Sequence, residues 1–254
     1  MELPQPPWVI QFKTPGDARL GIQVRHIQSG NDGDVCNSCV TRELLNTGKP
    51  AYCLDIGVDE GWWSFFAADS NPLATVVGFE PNPISFEQLK RYPDPRITFH
   101  NVALSDRVGV LELSCEGGTS HTRGGAADTK TVICVPIDSY IGDRYVDCVK
   151  IDTEGHDLIV LRSMYPYLEQ IGSIIFEFTV HWYGDNGVHE SMEALHRLRS
   201  AYPYMYFMNR RGPPLLTEIT RDDILEIVEF CDKNRFQVDI LVTRSQIKTV
   251  PIRR

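Results

Sequence analysis

Residues 54–66 read LDIGVDEGWWSFF, placing three carboxylates and two glycines at the end of an apolar run. Gly57 lets the chain turn tightly out of a strand, and Gly61 permits close approach between a ligand, the next helix and the sheet. Asp55 precedes this loop, and Asp59 and Glu60 lie within it. A dinucleotide site would present G-x-G-x-x-G, with bare amides facing a pyrophosphate. Carboxylates repel phosphate, so D-x-G-x-x-x-G suits a cofactor with a cationic end and no phosphates. S-adenosylmethionine, with an ammonium and a sulfonium, is such a cofactor. Glu80 follows the next apolar run, about 20 residues beyond the glycine loop, where an acid grips a ribose diol in nucleotide-binding α/β folds. A carboxylate can accept from both ribose hydroxyls. Trp63, Phe65 and Phe66 read as core aromatics. Trp62, beside the glycine turn, reads as a residue lining the cofactor, with its ring face toward a sulfonium.

A second group of polar residues interrupts apolar runs further along. Lys150, Asp152 and Glu154 alternate in one run, and Glu177, Thr179 and His181 in another. If both runs stay extended, each set shares one face and the two converge over the cofactor. Ionisable groups inside apolar runs need partners, because burying an unmatched charge is costly. Group transfer to a weakly acidic acceptor needs alignment and proton removal. Asp152 therefore reads as a direct active-site residue and His181 as the base, with His156 as runner-up and Glu154 and Glu177 beside them. The oxygens of Asp152, Glu154 and Glu177 would also suit Mg²⁺, but no spacing singles out a metal, and none is assigned. The stretch from Gly117 to Lys130 is polar and glycine-rich. Its Thr119, Ser120 and His121 offer hydrogen bonds to a polar acceptor, and its glycines permit closure. Plainer readings stand beside these: Glu154 and Gly155 ending a strand, Asp157 capping the next helix, residues 117–130 as a hairpin tip. His26, His100, His189 and His196 read as surface or structural.

These side chains need a frame to hold them. Apolar runs of strand length at 51–55, 75–80, 96–104, 146–152 and 173–178 alternate with helical patterns, followed by strands at 204–208 and 237–242. Ser85, with Gln88 three residues on, predicts a capping box opening a helix through Tyr92. Residues 108–113 and 131–135 predict a hairpin, 158–168 and 189–199 predict helices, and Thr220 predicts the N-cap of a last helix. Continuous apolar strands alternating with helices mean a doubly wound, mostly parallel α/β sheet covered on both faces. Residues 1–48 break the rhythm and read as an N-terminal accessory segment before a single compact domain spanning 49–254.

Composition narrows the class. The chain has 254 residues, 42% apolar and 23% charged, and a net charge of -9, which leaves nucleic-acid binding without an electrostatic footprint. The first residues show no signal-peptide pattern, and no apolar run reaches membrane-spanning length. Seven cysteines at irregular spacing fit a reducing cytoplasm. Cys36 and Cys39 form the one CxxC, without the partner pair a zinc site needs.

Six segments in order, LDIGVDEGWWSFF, VVGFEPNPISFEQLKR, ITFHNVALSD, VPIDSYI, VKIDTEGHDLIVLRSM and IIFEF, resemble the FkbM-type methyltransferase family over about residues 50–180. The resemblance implies the seven-stranded, Rossmann-like class I S-adenosylmethionine-dependent methyltransferase fold. It implies methyl transfer, usually to oxygen, on sugars or polyketide-type natural products. Carried over by position, Asp55, Gly57, Gly61, Glu80 and Asn82 would hold the cofactor, with Asn101, Val102 and Ala103 near its adenine. The chain departs from the usual pattern at Val58-Asp59-Glu60, at Trp62-Trp63 and at His156-Asp157. Two further readings use the same sheet: a methyltransferase-fold binding protein without catalysis, and a nicotinamide-dependent oxidoreductase, which the acidic loop disfavours.

Overall fold

The computed structural model describes residues 32–114, 129–208 and 216–247. Eight strands form one sheet in the order β10-β9-β11-β8-β7-β1-β2-β3. They are β1 (Ala51–Ile56), β2 (Ala74–Phe79), β3 (Ile97–His100), β7 (Val146–Ile151), β8 (Ile171–Phe178), β9 (Tyr204–Met208), β10 (Leu216–Glu218) and β11 (Val238–Thr243). The pairs β3–β2, β2–β1, β1–β7 and β7–β8 are parallel, and β11, β9 and β10 add antiparallel beyond β8. Every residue of β8 is buried, as a central strand covered on both faces requires.

Two apolar layers cover the sheet. On one face, Leu54, Ile56, Val149, Ile151, Phe176 and Phe178 pack with Leu158, Leu161, Leu195, Leu198, Ile224 and Val228. These last belong to α5 (Asp157–Met164), α6 (Gly187–Ala201) and α7 (Ile224–Lys233). On the other face, Cys53, Cys148, Ile175 and Leu241 pack with Trp63, Ala67, Cys36, Val40 and Leu45. These come from α2 (Trp62–Ser70) and α1 (Asp32–Leu45). A further helix, α3 (Pro83–Leu89), follows β2, and the short α4 (Asp138–Ile141) precedes β7. Among the described residues no helix is long and apolar enough to cross a membrane.

The chain runs β1 to β2 to β3 in one direction and then returns to place β7 on the other side of β1. The topological switch point thus falls between β1 and β7, where open α/β sheets bind ligands at their carboxyl ends.

Several expectations need correction. The sheet has eight strands rather than seven, because the three-residue β10 pairs with β9 without any apolar run to announce it. The expected strand 96–104 is two. β3 stops at His100, where the Asn101 side chain donates to the Glu80 and Pro81 carbonyls. The chain then enters a second sheet, β4-β6-β5, built from β4 (Ala103–Leu104), β5 (Gly109–Ser114) and β6 (Thr129–Val135). The predicted hairpin is β5–β6. Helix α3 begins at Pro83, capped by Asn82, whose Oδ1 accepts from Ile84 N at 2.9 Å. Proline is pre-shaped for that first position, so the helix starts before Ser85. Thr220 does not cap α7. Its N–H and hydroxyl instead donate to the Asp223 carboxylate at 2.7 and 2.6 Å. The predicted helix 158–168 changes pitch at Pro166, where a 3₁₀ turn, Tyr165–Gln170, takes over.

Candidate active site

The glycine loop is built by contact with β7. Gly57 has φ +85°, and a Cβ there would lie 1.8 Å from the Asp152 carbonyl oxygen. Only glycine allows this turn at the switch point. Asp152 N donates to Ile56 O at 2.8 Å, locking the two strand ends together. At Gly61, also at positive φ, a Cβ would meet Leu89 and Phe65 within 3 Å, so its close approach is to neighbouring side chains.

Asp55 is fully buried and accepts from Ser64 Oγ at 2.6 Å, which ties the end of β1 to α2. Burial raises its carboxyl to about 7, against the opposing pull of Ser64 and Lys150. Glu80 is also buried. Its Oε2 accepts from Asp59 N and its Oε1 from Asn82 N, each at 2.7 Å. Desolvation raises it to about 7 despite those two amides. Glu80 therefore pins the tip of the acidic loop, where Asp59 holds a left-handed backbone (φ +48°). Asn82 caps α3, and Asn101 braces the 80–81 turn. Val102 packs on the first core and Ala103 lies in β4. Trp63, Phe65 and Phe66 are core residues as expected, and Trp63 Nε1 donates to Thr41 Oγ1 at 2.9 Å. Trp62 is half-buried and packs on the same layer as α1.

Beside the glycine turn, Asp152, Glu154 and Glu177 bring one carboxylate oxygen each within 4.8 Å of one another. Lys150, itself buried, donates to Asp152 Oδ2 at 2.9 Å. Glu154 reaches this cluster because its backbone is left-handed (φ +53°) and Gly155 follows at φ +106°. Asp157 makes that loop. Its two oxygens accept from Thr153 N at 2.9 Å and Gly155 N at 3.1 Å. Asp157 is completely buried, and burial raises its carboxyl above the usual range. Hard oxygen ligands at this spacing are able to hold a divalent cation, and Lys150 already supplies one positive charge.

The two histidines proposed as bases are placed differently. β8 ends at Phe178, and His181 sits on a 3₁₀ turn, Val180–Trp182, so the extended alternation stops short of it. Thr179, fully buried, donates its N–H to Tyr183 Oη at 3.1 Å. His156 is buried, with Nε2 3.1 Å from Ser105 Oγ. Burial lowers it to about 4, so it is neutral at pH 7 and a weak base. Its geometry is that of a tie between the end of β4 and the Asp152–Asp157 loop. Thr119, Ser120 and His121 lie outside the described residues.

Sequence reasoning missed Asp239, which is wholly buried and directly opposite Glu177 in the β11–β8 ladder. The signal was available, because Asp239 interrupts the apolar run VDILV just as Asp152 and Glu177 interrupt theirs. Gln237, whose side-chain amide donates to Glu177 Oε1, and Ser105 carried no such signal.

A carboxylate ends β2, an acidic glycine turn sits at the switch point and a carboxylate cluster lies beside it, in a doubly wound sheet of the class I methyltransferase type. Solved structures agree. The chain is similar to the O-methyltransferase TomG from Streptomyces achromogenes, involved in tomaymycin synthesis and solved with S-adenosylmethionine. The identity is 10% and the TM-score 0.51, over 93% of each chain. A protein from Corynebacterium glutamicum matches at 10% identity and TM-score 0.51, over 92% of this chain and 94% of that one. No curated protein sequence matches. The sequence model of the methyltransferase FkbM domain matches residues 52–202, more than half of the chain. The chain belongs to the FkbM methyltransferase family.

Proposed function

We propose that this chain transfers a methyl group from S-adenosylmethionine to a hydroxyl of a sugar, glycan or natural-product acceptor. The observation that carries the reading is the meeting of Asp152 with the Gly57 turn at the switch point, with Glu80 ending the neighbouring strand. The residues fit the cofactor's chemistry. The loop offers carboxylates in place of a phosphate cradle, and the buried Glu80 keeps lone pairs for a ribose diol beyond the two amides it already holds. When bound, S-adenosylmethionine supplies a methyl group made electrophilic by its sulfonium.

In this reading Glu80 takes the ribose, Asn82 shapes its turn, and Asn101, Val102 and Ala103 wall the adenine. Gly57, Gly61 and Asp55, which is tied to Ser64, form the cofactor loop, with Trp62 beside it. Asp152, with Glu154 and Glu177, aligns the acceptor hydroxyl, and His181 takes its proton. Thr119, Ser120 and His121 contact the acceptor. The described cysteines are all free thiols, in keeping with a reducing cytoplasm.

The test is turnover to S-adenosylhomocysteine across a panel of glycans, glycolipids and secondary-metabolite scaffolds. His181→Gln should cut kcat by about 10²–10⁴-fold, the usual cost of a positioned base, with little change in cofactor affinity. NAD⁺ should bind about a hundredfold more weakly than S-adenosylmethionine, since Asp59 and Glu60 oppose its phosphates. Loss of turnover on chelation, with His181→Gln silent, would assign the carboxylates to a divalent cation and remove the general-base role. Cofactor binding without product from any acceptor would turn the reading to a binding protein.

A further inference from the structure

Helix α1 presents an unusual face to the sheet. Cys36, Asn37, Val40, Thr41 and Leu45 are all at most 2% exposed. A helix that only covered a core would be apolar there, because a buried amide or hydroxyl is costly unless it is hydrogen-bonded. Asn37 and Thr41 are bonded, and both partners lead toward the active site. Asn37 Nδ2 donates to Asp239 Oδ2 at 2.9 Å. One turn on, Thr41 Oγ1 accepts from Trp63 Nε1, at the start of the helix that follows the glycine loop.

The Asn37 bond continues inward. Asp239 stands opposite Glu177 in the β11–β8 register, and both are at most 1% exposed. Residues i and j directly opposite on antiparallel strands share a face, with their Cβ atoms about 5 Å apart. Glu177 carries one of the oxygens gathered within 4.8 Å of those of Asp152 and Glu154. Buried polar residues thus line up from α1 through β11 to the carboxylate cluster, where the Gln237 amide from the chain just before β11 also donates to Glu177 Oε1. Asn37 and Asp239 both lie outside the matched residues 52–202.

We propose that Asn37 is a positioning residue: it orients Asp239 and, through it, sets the placement of Glu177 within the carboxylate cluster. The proposal rests on the methyltransferase reading above. Helix α1 then closes the site from outside the family core, gripping the cofactor-loop helix at Thr41 and the catalytic strands at Asn37.

The experiment compares S-adenosylmethionine with S-adenosylhomocysteine by calorimetry. The two differ by one methyl group and one positive charge at sulfur, so their affinity ratio reports the field of the carboxylates there. Asn37→Ala should shrink the ratio by about threefold or more, through loss of close charge–charge attraction, while S-adenosylhomocysteine affinity holds. In a Glu177→Gln background, Asn37→Ala should leave the ratio unchanged, because coupled residues are not additive. If Asn37→Ala does not fold, Asn37→Ser, whose hydroxyl falls short of Asp239 Oδ2, tests the same link with the same two outcomes. An unchanged ratio in the single variant, or additive effects in the double variant, overturns the positioning role and leaves the methyltransferase reading intact. Wild-type protein that binds neither molecule overturns both.

Discussion

Glu154 holds a costly backbone conformation beside the carboxylate cluster. A left-handed backbone costs a non-glycine residue about 1–2 kcal/mol, and Glu154 sits at φ +53° with its carboxylate in the cluster. Asn tolerates that conformation, so Glu154→Asn should raise unfolding free energy by about 1 kcal/mol while lowering kcat. Denaturant titration and turnover, measured together, check this. A gain in stability without loss of rate would make Glu154 a loop residue only. Glu80 makes a second case. Its carboxyl is raised to about 7 by burial, and ribose hydroxyls would donate to its ionised form. A proton therefore competes with the cofactor below that value. S-adenosylmethionine affinity should climb as pH rises toward 7 and level off above it, with proton release seen as a buffer-dependent binding enthalpy. Glu80→Ala should lose about 2 kcal/mol or more, the size of two charge-assisted hydrogen bonds, and should lose the pH dependence with it.

At the scale of elements, the turn between β1 and α2 is the joint on which the site depends. A methyl group at Gly57 would fall 1.8 Å from backbone that cannot yield, in a left-handed conformation. Gly57→Ala should destabilise the fold by about 3 kcal/mol or more and abolish cofactor binding even in molecules that fold. Thermal melts with and without S-adenosylmethionine would show a depressed midpoint and no ligand shift. A normal midpoint would mean that β1 and β7 separate more readily than their contact indicates. Elements with long apolar runs were legible beforehand: β1, β2, β7, β8, β9 and β11 fall close to where the sequence puts them. Boundaries set by one side chain were not. Asn82 outcompetes Ser85 for the cap, and the Asn101 amide ends β3 by taking carbonyls from a neighbouring turn.

For the molecule as a whole, the buried acids set the pH dependence of stability. Asp55 and Glu80 are both raised to about 7 from the usual carboxylate range. A carboxyl whose folded value is raised contributes stability that is complete below the unfolded value, near 4, and lost as pH climbs through the folded one. His156, lowered to about 4, acts in the opposite sense, but its stabilisation is essentially complete above about 6.5. Between pH 6 and 8 these two acids, with the buried Asp157 raised in the same sense, outweigh the part of the histidine's stabilisation still missing below about 6.5. The melting temperature should be higher at pH 6 than at pH 8, and Asp55→Asn should flatten the slope in scanning calorimetry. A melting temperature that rose over this interval would show that both carboxyls are ionised without cost.

Much of the charge pattern of the candidate site is local, and the sequence alone determined it. The acidic glycine turn, Glu80 at its distance beyond and the interruptions at Asp152 and Glu177 are visible as charges set into apolar runs, since burial makes such placements expensive unless they are used. The order of strands and helices was local in the same way, because periodicity is a property of consecutive residues. The tertiary structure decided what depends on residues distant in the chain. Glycine is required at 57 because β7, about a hundred residues later, lays a carbonyl where a side chain would stand. Glu154 joins Asp152 and Glu177 because Asp157 bends the loop beneath it. His181 leaves the expected line because β8 gives way to a 3₁₀ turn after Phe178. Asn37 meets Asp239 across 202 positions. Contacts of that kind have no spacing to read, because only the closed sheet brings their residues to one place.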